Sequence, residues 1–208
     1  MAEKNSDQAG IVPPQAEGAK KDIEHTFVAV TESDAKKLFL LARNRLLDVN
    51  HWHQYAGPPT SVFTLADQFG NKVWRTAEMG DYFKIDIPAP GPADGKGFDW
   101  VRIEAVKDIS NPEGAVEKIA MRVRPAADPT QKGENVAHFF SDHATSSFIV
   151  ERNGKEVHAR ILGRNETPNI ETSNFIDKVR NTLVAATAIL GFANIQWKNL
   201  LKGIIKAD

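Results

Sequence analysis

Residues 176–204 read IDKVRNTLVAATAILGFANIQWKNLLKGI. Ile176, Val179, Leu183, Ala186, Leu190, Ala193, Trp197, Leu200 and Ile204 recur at spacings of three and four. That period lays one apolar stripe along a helix, here of roughly 34 residues or ~50 Å with its flanks. Pro168 and Asn169 end whatever precedes it, and Thr172, Ser173 or Asn174 is available as its N-cap. Ala185, Ala186, Ala188, Gly191 and Ala193 keep the middle thin, which suits close approach to a sheet. The stripe predicts that Leu183, Leu190 and Trp197 are buried, with Lys178, Arg180 and Lys198 more exposed. A coiled-coil seam has the same spacing, so the packing partner is decided upstream.

Upstream the period falls to two. Phe83, Ile85 and Ile87 alternate with Tyr82, Lys84 and Asp86. Val101, Ile103 and Ala105 alternate with Trp100, Arg102 and Glu104, and Ile119, Met121 and Val123 with Lys118, Ala120, Arg122 and Arg124. Such alternation marks half-buried strands. Further strands are predicted at 25–31, 61–66, 72–76, 137–152 and 155–164, the last two joined at Asn153-Gly154. Ser33 or Asp34 can cap one or two short helices beginning at Ala35, ended by Gly57-Pro58-Pro59. Each half-apolar strand needs a cover, and the long helix supplies one. The fold class is therefore α+β: a curved antiparallel sheet of six or seven strands packed on the C-terminal helix. No βαβ alternation occurs, which argues against a parallel sheet. A barrel or rolled sheet of another topology has the same strand count.

This order resembles the helix-grip fold of START-like proteins, including polyketide cyclases and lipid carriers. The string Leu47-Asp48-Val49-Asn50-His51-Trp52-His53-Gln54-Tyr55 is similar to the family's pattern of Asp, then Trp, then Tyr after the first helix. The resemblance spans about residues 24–205, and the Pro/Gly-rich insert at 88–97 departs from a minimal member. It implies a cavity between sheet and helix.

Composition bounds the rest. The chain has 208 residues, 41% of them hydrophobic, and no cysteine. It is long enough to fold without disulfides or a structural metal, and thiolate metal sites and thiol catalysis are excluded. Lys and Arg number 26 against 27 Asp and Glu, a net charge of -1, which gives no basic stripe for nucleic acid. The longest nearly apolar run, Leu183 to Ile195, is shorter than the ~20 residues a membrane span needs. With no apolar leader at its start, the chain reads as cytoplasmic. Residues 1–21 hold only Ile11 and Val12 as branched apolar residues, and are expected to be a disordered tail before a single domain at 22–208.

His51 and His53 form a His-x-His pair that a strand would turn to one face, but a third ligand would have to come from His138, Asp142, His143 or His158. No metal or cofactor is expected. The segment His138–Ser147 mixes His, Asp and hydroxyls without a nucleophile elbow. Gly163–Asn169 either caps the long helix or lines a cavity mouth. The glycines at 91–97 lie between strands and fail as a phosphate loop. Trp100, Arg102 and Glu104 share one strand face, and His158, Arg160 and Arg164 another. These six are solvated if they face outward. If they face the cavity they are the ligand-binding set, and the arginines suit an acidic end. The leading expectation is a non-enzymatic protein binding a small apolar or amphipathic molecule. The alternatives are an interaction or assembly protein with a filled core, and a cyclase, hydrolase or isomerase using acid–base groups in the same cavity.

Overall fold

Thr31 starts the first helix. Its backbone is extended, and its side chain accepts a hydrogen bond from the Asp34 N–H at 3.1 Å. The cap thus falls two residues ahead of Ser33, and α1 runs Glu32–Leu47 as one helix. Ala35, Leu38, Phe39, Ala42 and Leu46 form its buried stripe. The computed structural model of the chain describes residues 10–87, 93–169 and 179–207, with backbone alone at 93 and 179–190.

Strand β1 (Ala19–Val28) precedes α1, and a short α2 (Trp52–Ala56) follows it. Then β2 (Val62–Ala66), β3 (Tyr82–Asp86), β4 (Asp99–Ile109), β5 (Val116–Pro125), β6 (Thr145–Asn153) and β7 (Glu156–Glu166) meander back across the molecule. The sheet order is β1-β7-β6-β5-β4-β3-β2, antiparallel throughout. The α1–α2 connection carries the chain from one edge of the sheet to the other. Helix α3 (Val179–Ile204) lies on the same face as α1 and α2, so the helices and the sheet's inner face enclose one core. The α+β arrangement of a curved antiparallel sheet on a C-terminal helix is the one expected from the two periodicities. Leu200, Leu201, Ile204 and Ile205 are buried, Trp197 is half-buried and Lys198 exposed. Leu183, Leu190, Lys178 and Arg180 lie outside the described side chains.

Two irregularities redirect side chains. In β4, Ile103 pairs with Val123 and Ala105 with Arg122, so Glu104 is an extra residue. Beyond this bulge the parity inverts. Ala105, expected on the apolar face with Val101 and Ile103, instead joins a small cluster on the outer face, and Val106 packs on the core. Asp108 likewise turns inward, where it pairs with Arg43 of α1 at 2.6 Å. The second irregularity lies in β7, where Asn165 adopts φ +56. Residues 72–76, expected as a strand, make only a bridge from Lys72 to Ala66, because Val73 instead ties Leu65 to Asn50. In 137–152 only Thr145 onward is strand.

Residues 10–21, read from sequence as part of the tail, take a defined course. Ile11 is fully buried against Ala120 and Ile149 on the outer face. Its carbonyl accepts from Arg122 and from Ser147 Oγ. Asn165 Oδ1 accepts from the N–H groups of Ala16 and Glu17, and its Nδ2 donates to the Pro14 carbonyl.

Candidate functional site at one end of the sheet

Trp52 anchors the interior. It is fully buried, and its Nε1 donates to the carbonyls of Arg45 and Leu46. Its indole meets Phe63, Phe83, Phe148 and Trp197 with ring centroids 4.9–6.5 Å apart. These rings occupy the space between the sheet and the C-terminal half of α3. There α3 approaches so closely that a Cβ on Gly203 would overlap the Tyr55 carbonyl. Arg45 completes the join, donating to the carbonyls of Gly203, Ile204 and Lys206 at the end of α3.

At the opposite end of the inner face the side chains change character. Asp99 opens β4 opposite Ile85 and, two residues before Val101, projects to the inner face. It is 3% exposed. The segment 126–144 closes this end of the sheet: the Trp100 N–H donates to Ala137 O, the Ala126 N–H to Trp100 O, and Phe140 bridges to Pro168. Asn169 fastens that segment, its Nδ2 donating to the carbonyls of Val136 and His138, while the hydroxyls of Ser141 and Thr167 bond at 2.6 Å. The segment delivers the His138 imidazole to Asp99, with Nε2 and Oδ2 3.9 Å apart. That exceeds hydrogen-bond length. Nδ1 of His138 accepts the Phe140 N–H at 2.9 Å, which fixes the neutral ring with its proton on Nε2. Burial pushes the Asp99 carboxyl above its ordinary range, against the opposing pull of His138 and a hydrogen bond from the Phe139 N–H. Burial lowers the His138 pKa, opposed by Asp99. The result is a buried carboxyl and a half-buried imidazole that face each other without touching, at the edge of an apolar surface.

The six residues singled out by strand alternation lie on the other face. Trp100 is buried there, beside Ala66 and Ala137, and its Nε1 has no partner among the described residues. Arg102 is exposed. Glu104 accepts from Arg122 at 2.8 Å and from Arg124 at 2.5 Å. His158 contacts Glu24 and Glu156, Arg160 contacts Glu24 and Glu151, and Arg164 pairs with Asp22 at 2.5 Å. Strands β5 and β6 separate the two groups, a spacing of ~14 Å. They are not brought together, and a ligand role for either would be a role on the outer face rather than between sheet and helix.

The other candidates also separate. His51 Nδ1 contacts Asp48 at 2.8 Å, and Tyr55 donates to the same carboxylate at 2.9 Å. Burial and then Asp48 push the Tyr55 hydroxyl up to about 12. The Asp, Trp and Tyr of the 47–55 string thus serve the packing of α2, with Asp48 at the C-cap of α1. Among the described residues no three His, Asp or Glu side chains converge as metal ligands. His143 pairs with Glu17 at 2.5 Å, and Ser147 donates to Ile11, so the Asp, His and Ser of 138–147 form no relay. His138 appeared in that string, but its partner Asp99 was not singled out: the pairing spans 39 positions of chain and needs the fold.

No protein-family model matches the chain, and no curated protein matches it. Among solved structures, it is similar to a hypothetical protein of Helicobacter pylori at 12% identity, covering 89% of this chain and 87% of that one, with a TM-score of 0.44. A Bacillus cereus protein, XoxI, is similar at 13% identity, 91% and 97% coverage and a TM-score of 0.40. Truncated norcoclaurine synthase from Thalictrum flavum is similar at 12% identity, 94% and 100% coverage and a TM-score of 0.36. Among the described residues no helix is long and apolar enough to cross a membrane.

Proposed function

We propose that the protein binds a small amphipathic molecule between the inner face of the sheet and the N-terminal half of α3, with its polar end at Asp99 and His138. One observation carries the reading: a buried carboxyl faces a half-buried imidazole at the rim of an apolar surface, and the two are too far apart to bond each other. Small-molecule sites combine apolar lining with a few convergent polar groups. Buried titratable groups held away from their ordinary range are enriched at such places. Binding is favoured over acid–base catalysis because His138 Nδ1 is engaged by the Phe140 N–H, leaving the ring a donor toward Asp99 rather than a base. The test is native mass spectrometry of freshly purified protein. The expected result is a mass increment in the parent that is lost in Val101→Trp, whose indole would fill the inner face beside Asp99. Parent protein that carries no increment, and takes up none from a lipid extract, overturns the reading.

A further inference from the structure

We infer that the gap between His138 and Asp99 receives a single oxygen atom of the bound molecule, and that this oxygen belongs to a hydroxyl group. The inference rests on the binding reading above and names the chemistry of the ligand's polar end.

Nε2 of His138 and Oδ2 of Asp99 are 3.9 Å apart. An atom at hydrogen-bond distance, ~2.8 Å, from both would see them at an angle of about 90°, within reach of one oxygen. The donor pattern is then fixed by the neighbours. The Phe140 N–H occupies Nδ1, so the neutral ring donates from Nε2. The Asp99 carboxylate accepts, as it does from the Phe139 N–H. The atom between them must therefore accept from one side and donate to the other. A hydroxyl does both, a carbonyl only accepts and an ammonium only donates. Among the described residues, the neighbours of Asp99 along its face of the sheet are apolar. Asp99 sits opposite Ile85, and two residues on Val101 continues the apolar face. A hydroxyl carried on an apolar body matches both halves of this site.

The experiment compares phenol, toluene and benzaldehyde, which share a ring and differ in the group presented. Dissociation constants are read by NMR titration of the full chain at neutral pH. Phenol is expected to bind about tenfold more tightly than toluene, since its hydroxyl gains hydrogen bonds that toluene cannot make. Benzaldehyde should rank below phenol. In Asp99→Leu the phenol advantage should vanish while toluene still binds. If that variant does not fold, the ranking in the parent decides alone. Equal binding of phenol and toluene overturns the inference and leaves the binding reading standing. Benzaldehyde ranking first overturns it in favour of a carbonyl. If none of the three binds, the interior site itself fails, and the inference with it.

Discussion

Asp99 shows how a single side chain can oppose the stability of the fold that holds it. Burial raises its pKa above the ordinary 3.8, so the folded state binds that proton more tightly than the unfolded chain does. The cost of the charge is absent below the unfolded value and grows as pH rises through the folded one. His138 runs the other way. Burial lowers its pKa below 6.5, so its favourable contribution is present at neutral pH and lost as pH falls from 6.5 toward the folded value. Comparing two proteins at each pH cancels His138 apart from its coupling to Asp99. Asp99→Asn keeps an acceptor for the Phe139 N–H and removes the charge. It should raise the melting temperature at neutral pH, with the gain shrinking toward pH 3.8. A lower melting temperature at neutral pH would make Asp99 a structural anchor instead. Arg152 is the contrasting case: fully buried, it bonds Glu117 at 2.7 Å and the carbonyls of Gly114, Ala115 and Gly154, so its charge is fully engaged.

Elements here are fixed as much by what crosses them as by their own periodicity. The edge strand β2 is closed by side chains from elsewhere: Gln196 of α3 accepts the Ser61 N–H, and Asn50 Oδ1 accepts the Leu65 N–H. Open strand edges invite pairing with other chains, and these two contacts block one. The segment 10–18 performs a similar service on the outer face, where Ile11 seals a small apolar cluster. Ile11→Ala should therefore lower stability by ~2 kcal/mol, read from the midpoint of urea unfolding. An unchanged midpoint would show that the segment does not dock in solution. The docking of 10–18 was not legible: with Ile11 and Val12 as its only branched apolar residues, the segment reads as part of a disordered tail. Nor was its acceptor, because Ala120, Ile149 and Asn165 come from three different strands.

For the whole molecule, the question is whether α3 is held by its own sheet or by another chain. Leu200, Leu201, Ile204 and Ile205 are buried within the one core formed by sheet and helices. A helix held in that way leaves the melting temperature independent of protein concentration, whereas an associating helix makes it rise. We expect independence over a roughly hundredfold range of protein concentration. Leu201→Asp should leave the protein largely insoluble, since it loses Leu packing and buries an unpaired charge, each worth several kcal/mol against a total of ~5–15 kcal/mol. Lys198→Ala, at an exposed position, should behave as the parent. A soluble, fully folded Leu201→Asp would remove α3 from the core.

Which residues alternate and which recur every third or fourth place is written in the chain, and those periods are local consequences of strand and helix geometry. That was enough for the α+β class, the antiparallel strands and the burial of the end of α3. The tertiary structure decided what local periodicity does not carry. One extra residue, Glu104, inverted the faces of β4, because a strand has only two faces and a bulge exchanges them. The six alternating residues went to the outer face, where most of their charges found partners on neighbouring strands. Asp99 met His138 because a closing segment bends back over the end of the sheet. Contacts between distant positions depend on register and chain return, and those are settled only when the whole sheet closes over its core.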